Sequence, residues 1–154
     1  MIQLYKKGNE NFTVNGDHIL HPVSCTVDRR VNGAWELEIE YPIVFEDRNN
    51  IYEDITIDAV VKVPMPEGDK LYRIYDTVKS TDMTMLAYAR PIFMDAAGDT
   101  FFMDKRVVNK TGQEALDYLT EGTIYSGRTD ISKGGTAYYV RKNMLEVLAG
   151  DLDN

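Results

Sequence analysis

Trp35, Leu37, Ile39 and Tyr41 alternate without a break with Glu36, Glu38 and Glu40, and shortly before them Val23, Cys25 and Val27 alternate with Ser24, Thr26 and Asp28. Successive side chains of a β-strand point to opposite faces, so period-two alternation on both sides of a turn specifies a half-buried antiparallel hairpin. Its register follows from face matching, because residues directly opposite one another share a face. A two-residue Asn32-Gly33 loop would set Val27 against Glu38 and mix the faces. Moving the pairing by one residue sets Val27 against Leu37, Cys25 against Ile39 and Val23 against Tyr41. Val31-Asn32-Gly33 is then a three-residue loop with glycine at its last position, where such loops want a left-handed residue. Arg29 falls opposite Trp35, within reach of a cation–π contact. The other face sets Thr26 opposite Glu38 and Asp28 opposite Glu36, an acidic surface that reads as solvated.

The strand pattern continues over the first two-thirds of the chain. Ile2 to Tyr5, Ala59 to Val63, Leu71 to Val78 and Thr84 to Ala89 read as further strands. Met65-Pro66-Glu67-Gly68-Asp69 and Ser80-Thr81-Asp82 supply turns between the last three. This spacing predicts an antiparallel β-barrel or sandwich over residues 1–92. After Pro91 the texture changes. Thr111-Gly112-Gln113-Glu114 is a capping box, followed by an apolar stripe of Ala115, Leu116 and Leu119 and a glycine stop at Gly122. A second helix begins at Asn143, with Glu146 three residues on and Gly150 as its end. Between the helices, Ile124 to Ile131 and Ala137 to Val140 read as strands around Lys133-Gly134-Gly135. The chain is therefore mainly β with a smaller α+β part over 93–154. The absence of a closing strand after the second helix fits either a fragment of a longer polypeptide or an ordinary frayed terminus, and the 93–154 part is expected to be truncated on the resemblance given below.

Composition excludes several function classes. The net charge is −8, which disfavours binding to phosphate backbones. A lone cysteine excludes an internal disulfide and a thiolate zinc site. The N-terminus lacks the apolar stretch of a signal peptide, and no run has the length of a membrane helix. His18 and His21 are spaced as ligands could be, but no third convergent group accompanies them, so no metal site is assigned. Cys25 falls on the apolar face of the hairpin and reads as a buried structural thiol, not a nucleophile. Glu36, Glu38 and Glu40 form a surface row and not a recessed acid pair of the kind that hydrolyses glycosides. Tyr72, Tyr75 and Tyr88 read as at least partly buried, which argues against a carbohydrate-binding face. No cofactor motif is present.

Several segments, in order, resemble the N-terminal region of phage minor structural proteins, the tail-associated lysin or "prophage endopeptidase tail" family. Ile2-Gln3-Leu4-Tyr5 leads into Asn11-Phe12-Thr13-Val14-Asn15-Gly16. The hairpin follows, from Ser24-Cys25-Thr26-Val27 through Asn32-Gly33-Ala34-Trp35 to Glu40-Tyr41-Pro42. Then come Leu71-Tyr72-Arg73-Ile74-Tyr75, Ala87-Tyr88-Ala89-Arg90 and Tyr139-Val140-Arg141-Lys142-Asn143. The resemblance implies a baseplate hub piece of a virion tail tip, made in a bacterial host's cytoplasm, with no enzymatic activity of its own. It implies a homotrimer for the full-length protein and contacts with the distal tail protein, tail tube and tape measure. Longer relatives carry a C-terminal peptidoglycan hydrolase. Glu36, Glu38 and Glu40 become candidates for an acidic lumen that repels DNA. The alternatives are a cell-wall hydrolase fragment, marked by a recessed acid pair or a Cys–His contact, and a carbohydrate-binding module, marked by a row of exposed aromatics.

Overall fold

The computed structural model describes residues 1–30, 35–44 and 50–149. The loop expected at Val31-Asn32-Gly33 and the helix stop expected at Gly150 lie outside the described residues. The chain divides into two compact units, Met1–Ile92 and a second beginning at Phe93.

The first unit contains β1 (Ile2–Tyr5), β2 (His18–Leu20), β3 (Ser24–Arg29), β4 (Trp35–Pro42), β5 (Val60–Val63), β6 (Lys70–Lys79) and β7 (Thr84–Pro91), with a one-turn helix, α1 (Ile51–Asp54), before β5. All seven strands join one antiparallel sheet in the order β2-β1-β5-β6-β7-β4-β3, an open half-barrel with β2 and β3 at its edges. The hairpin register is the one that face matching predicts, with Val27 opposite Leu37, Cys25 opposite Ile39 and Arg29 opposite Trp35. The Arg29 guanidinium lies 5.2 Å from the Trp35 ring centre.

Val23 departs from that reading. Its N–H donates to the Glu40 carbonyl at 2.8 Å, while Ser24 is already Glu40's partner. Two residues of one strand thus face one of the other, a bulge that turns Val23 out of the core and leaves it 64% exposed.

The core face collects Leu37, Ile39 and Tyr41 of β4, Met85, Ala87 and Ala89 of β7, Tyr72 and Ile74 of β6, and Val61 and Val63 of β5. Large residues sit opposite small ones, Leu37 against Ala89 and Ile39 against Ala87, which leaves room for a sheet curling toward this face. Tyr52 of α1 and Ile55 join the same cluster. A register shift between Ile74 and Asp76 changes the phase of β6. Unbroken alternation from Ile74 would turn Val78 inward; after the shift Thr77 pairs with Ala87 on the core side, and Val78 is exposed. Tyr75, at the shift, is 42% exposed.

Residues 6–17 fold over the opposite face of β1, where Tyr5 is fully buried. The Tyr5 hydroxyl donates to the Val14 carbonyl at 2.6 Å, and Phe12 meets its ring edge-on at 5.2 Å. Lys62 Nζ donates to the Phe12 carbonyl at 2.7 Å and lies 5.2 Å from the Tyr5 ring centre. Gly16 must be glycine for this cover to close, because a Cβ there would stand 2.7 Å from the Leu4 carbonyl oxygen.

The second unit pairs β8 (Phe101–Lys110) with β9 (Gly135–Asn143) as a two-stranded antiparallel sheet. It also contains α2 (Ala96–Asp99), α3 (Gly112–Thr120) and α4 (Met144–Ala149). Ala96, Phe102, Val107, Leu119 and Met144 form its core. Both helix starts follow the sequence. Thr111 and Glu114 make the reciprocal capping box, and Asn143 and Glu146 exchange bonds of 2.8 and 2.9 Å across the start of α4. Ile124 to Ile131 is not a strand, which corrects the sequence reading. Several of its backbone groups are met by side chains instead: Gln113 accepts from Thr129 N–H at 3.1 Å and donates to the Gly127 carbonyl at 3.1 Å. The partner of β9 is β8, a strand the sequence reading did not assign.

Candidate functional site

The surface that the sequence singles out is the outward face of β3, β4, β7 and β6. The registers lay it out in rows. Thr26, Glu38, Tyr88 and Asp76 form one row, and Ser24, Glu40, Leu86 and Val78 form the next. Glu36 stands opposite Asp28. All three glutamates therefore lie on one face, with Glu36 and Glu38 exposed and Glu40 half-buried.

The like-charged pair is relieved locally. Asp28 accepts from the Arg30 guanidinium at 3.2 Å. Glu36 accepts a short hydrogen bond from the Tyr75 hydroxyl, and this bond, reinforced by partial burial, pushes the Tyr75 pKa up to about 12. Tyr75 thus keeps its proton and donates this hydrogen bond to Glu36. The side chains of Glu38 and Glu40 have no hydrogen bond or ion pair among the described residues. The arrangement is an exposed acidic row on a sheet face that also carries Arg73 and Arg90, with no recessed acid pair among the described residues.

The histidines and the cysteine are in separate settings. His18, on β2, bonds Asp54 at 2.7 Å through Nε2, and Lys6 Nζ lies 2.9 Å from the same carboxylate oxygen. His21 is exposed. Cys25 packs against the core, and burial pushes its thiol pKa up. No group of three His, Cys, Asp or Glu able to hold a metal ion occurs among the described residues. An open groove of about 700 Å³ lies beside Gln3, Gly16, Asp17, His18 and Ile51. Asp17 in it is already engaged, accepting from Lys6 N–H at 2.8 Å and from Asn9 at 3.2 Å.

The Lys6–Asp54–His18 cluster ties α1 to the first two strands, and sequence reasoning had no signal for it, because His18 and Asp54 are 36 residues apart. Burial opposes the Asp54 charge, but the bonds from Lys6 and His18 outweigh it and hold the carboxyl below its usual pKa. A group whose pKa is depressed on folding contributes stability that is present above its unfolded value and lost as pH falls through the folded one. Asp54 should therefore support the fold at neutral pH and lose that contribution progressively as pH falls below about 4 toward its lower folded value. Urea titrations at a series of pH values should show Asp54→Asn most destabilising at pH 7 and less so at the acid end of the series. An equal effect at both would remove the charge from this account.

At the far edge, Arg29 reaches from the end of β3 to Glu67 in the turn before β6, joining the sheet's edge strand to its interior. No protein-family model matches the chain, and no curated protein matches it.

Proposed function

We propose that this chain is a non-enzymatic structural piece of a phage or prophage tail tip, a baseplate hub region that continues the tail tube. The observation that carries the reading is the one-sided acidity of the half-barrel. Glu36, Glu38 and Glu40 project from one strand onto one face, with Asp28 and Asp76 on the flanking strands. A conduit for DNA must not bind it, and a wall of fixed negative charge repels phosphates. The motifs that resemble the tail-associated lysin family support it further, since they fall in order on β1, the β3–β4 hairpin, β6, β7 and the β9–α4 junction.

In this reading the full-length protein is a homotrimer. It contacts the distal tail protein and tail tube above and anchors a fibre or lytic domain below. The acidic row faces the lumen. Gold-labelled antibodies against this chain should mark the tail tip of particles released by the host that carries the gene. Particles with assembled tails and no label would overturn the proposal. A structure of the assembled ring with Glu36, Glu38 and Glu40 turned to bulk solvent would remove the lumen assignment alone.

A further inference from the structure

Residues 6–17 are tied down over β1 by backbone and side-chain bonds. The Tyr5 hydroxyl donates to the Val14 carbonyl at 2.6 Å, Asp17 accepts from Lys6 N–H at 2.8 Å, and Gly16 N–H donates to Gln3 Oε1 at 2.8 Å. The last of these bonds sits within an Asn15-Gly16 pair. In an Asn-Gly pair the asparagine side chain reacts readily with its own backbone, because the next residue has no Cβ to block the approach. Asn15 is exposed, and its side chain has no hydrogen bond among the described residues. The electrophile is free, then, while the nucleophile, the Gly16 nitrogen, is held.

The chemistry needs only water. The Gly16 nitrogen bonds to Asn15 Cγ, the Cγ–Nδ2 bond breaks, and ammonia leaves with the proton that Gly16 gave up. Water then opens one of the two C–N bonds of the succinimide ring, leaving aspartate or isoaspartate. Nothing is oxidised or reduced. To begin, Gly16 must release its proton and swing its nitrogen toward Cγ. In the folded chain Gln3 holds that proton, and the backbone lies so close to β1 that a Cβ on Gly16 would stand 2.7 Å from the Leu4 carbonyl oxygen. The reaction must therefore wait for the cover to lift, a local opening of the chain. Closing again is harder after it. Isoaspartate adds a methylene to the backbone beside Gly16, where there is no spare room, and either product adds a negative charge two residues from Asp17.

We propose that Asn15 is a deamidation site guarded by the Gln3–Gly16 hydrogen bond, and that reaction with water there leaves the cover over β1 unable to close. The proposal does not depend on the tail-tip reading. Peptide mapping by mass spectrometry of the whole chain, incubated in mildly alkaline buffer, tests it. Trypsin separates Asn15 from the chain's other Asn-Gly pair, Asn32-Gly33, because Arg29 and Arg30 lie between them. Amide loss at Asn15 should be slower in the folded parent than in unfolding urea by at least about tenfold. Gln3→Met keeps the length of the side chain and removes the acceptor. Tyr5→Phe keeps the buried ring and releases Val14. Each should raise the folded rate roughly fivefold, the effect of one hydrogen bond, and leave the rate in urea unchanged. The deamidated chain, separated by its added charge, should exchange amide hydrogens over residues 6–17 faster than the parent.

Equal rates for the parent folded and in urea would overturn the proposal, as would two folded variants that keep the parent's rate. So would a rise no larger than each variant's loss of global stability, read from the urea midpoint at Trp35, accounts for. A deamidated chain with the parent's hydrogen exchange over 6–17 would show that the cover closes regardless, and would overturn it too.

Discussion

Leu37→Ala should destabilise the first unit by about 2–5 kcal/mol. Leu37 is fully buried on β4, between Val27 of β3 and Ala89 of β7. Removing its branched end loses the transfer free energy of the deleted groups and leaves a cavity that its neighbours cannot fill. Ala89 is too small to expand into the space, and the ladders on both sides hold the backbone in place. Domains of this size have total stabilities of about 5–15 kcal/mol, so the loss is a large fraction of the whole. Trp35, the only tryptophan of the chain, starts the same strand and gives a fluorescence signal for this unit. The urea midpoint followed at Trp35 should fall well below that of the parent. Val27→Ala, on the half-buried edge strand, should cost less. A Leu37→Ala midpoint within error of the parent would mean that the hairpin's inner face is not the core.

Tyr72→Phe should have the opposite sign and raise stability by about 1–3 kcal/mol. Tyr72 is fully buried on β6, and its hydroxyl has no hydrogen-bond partner among the described residues. A buried hydroxyl with a partner usually loses stability when it is removed. One without a partner has given up its water and received nothing, so removal returns that desolvation cost. Burial also pushes the Tyr72 pKa up, as expected for a phenol held away from water. Phenylalanine keeps the ring and its packing, so no cavity opens. The same Trp35-detected urea curve should shift to higher midpoint with unchanged slope. A shift to lower midpoint would show that an ordered water or a neighbouring group satisfies the hydroxyl in solution.

The sequence by itself determined those features whose physics is local. Strict alternation and face matching set the β3–β4 register residue by residue, including the Arg29–Trp35 contact, because a slip of one would send every apolar side chain to solvent. The starts of α3 and α4 were legible because a capping box needs only two residues three apart. The acidic row was legible on the same grounds, since Glu36, Glu38 and Glu40 share a face in any strand. Tertiary structure decided the rest, wherever a backbone group had more than one available partner. Nothing in the chain near Val23, or near Ile74 and Asp76, announces a bulge; each is set by the neighbouring strand, and each reverses the side to which a valine points. Ile124 to Ile131 has the composition of a strand, yet its backbone finds Gln113 before it finds a ladder, and β9 pairs instead with a charged run that lacks clean alternation. The Tyr75–Glu36 hydrogen bond and the Lys6–Asp54–His18 cluster likewise join residues distant in sequence. Such contacts depend on strand order, which pairing free energy over the whole sheet selects and no short window contains.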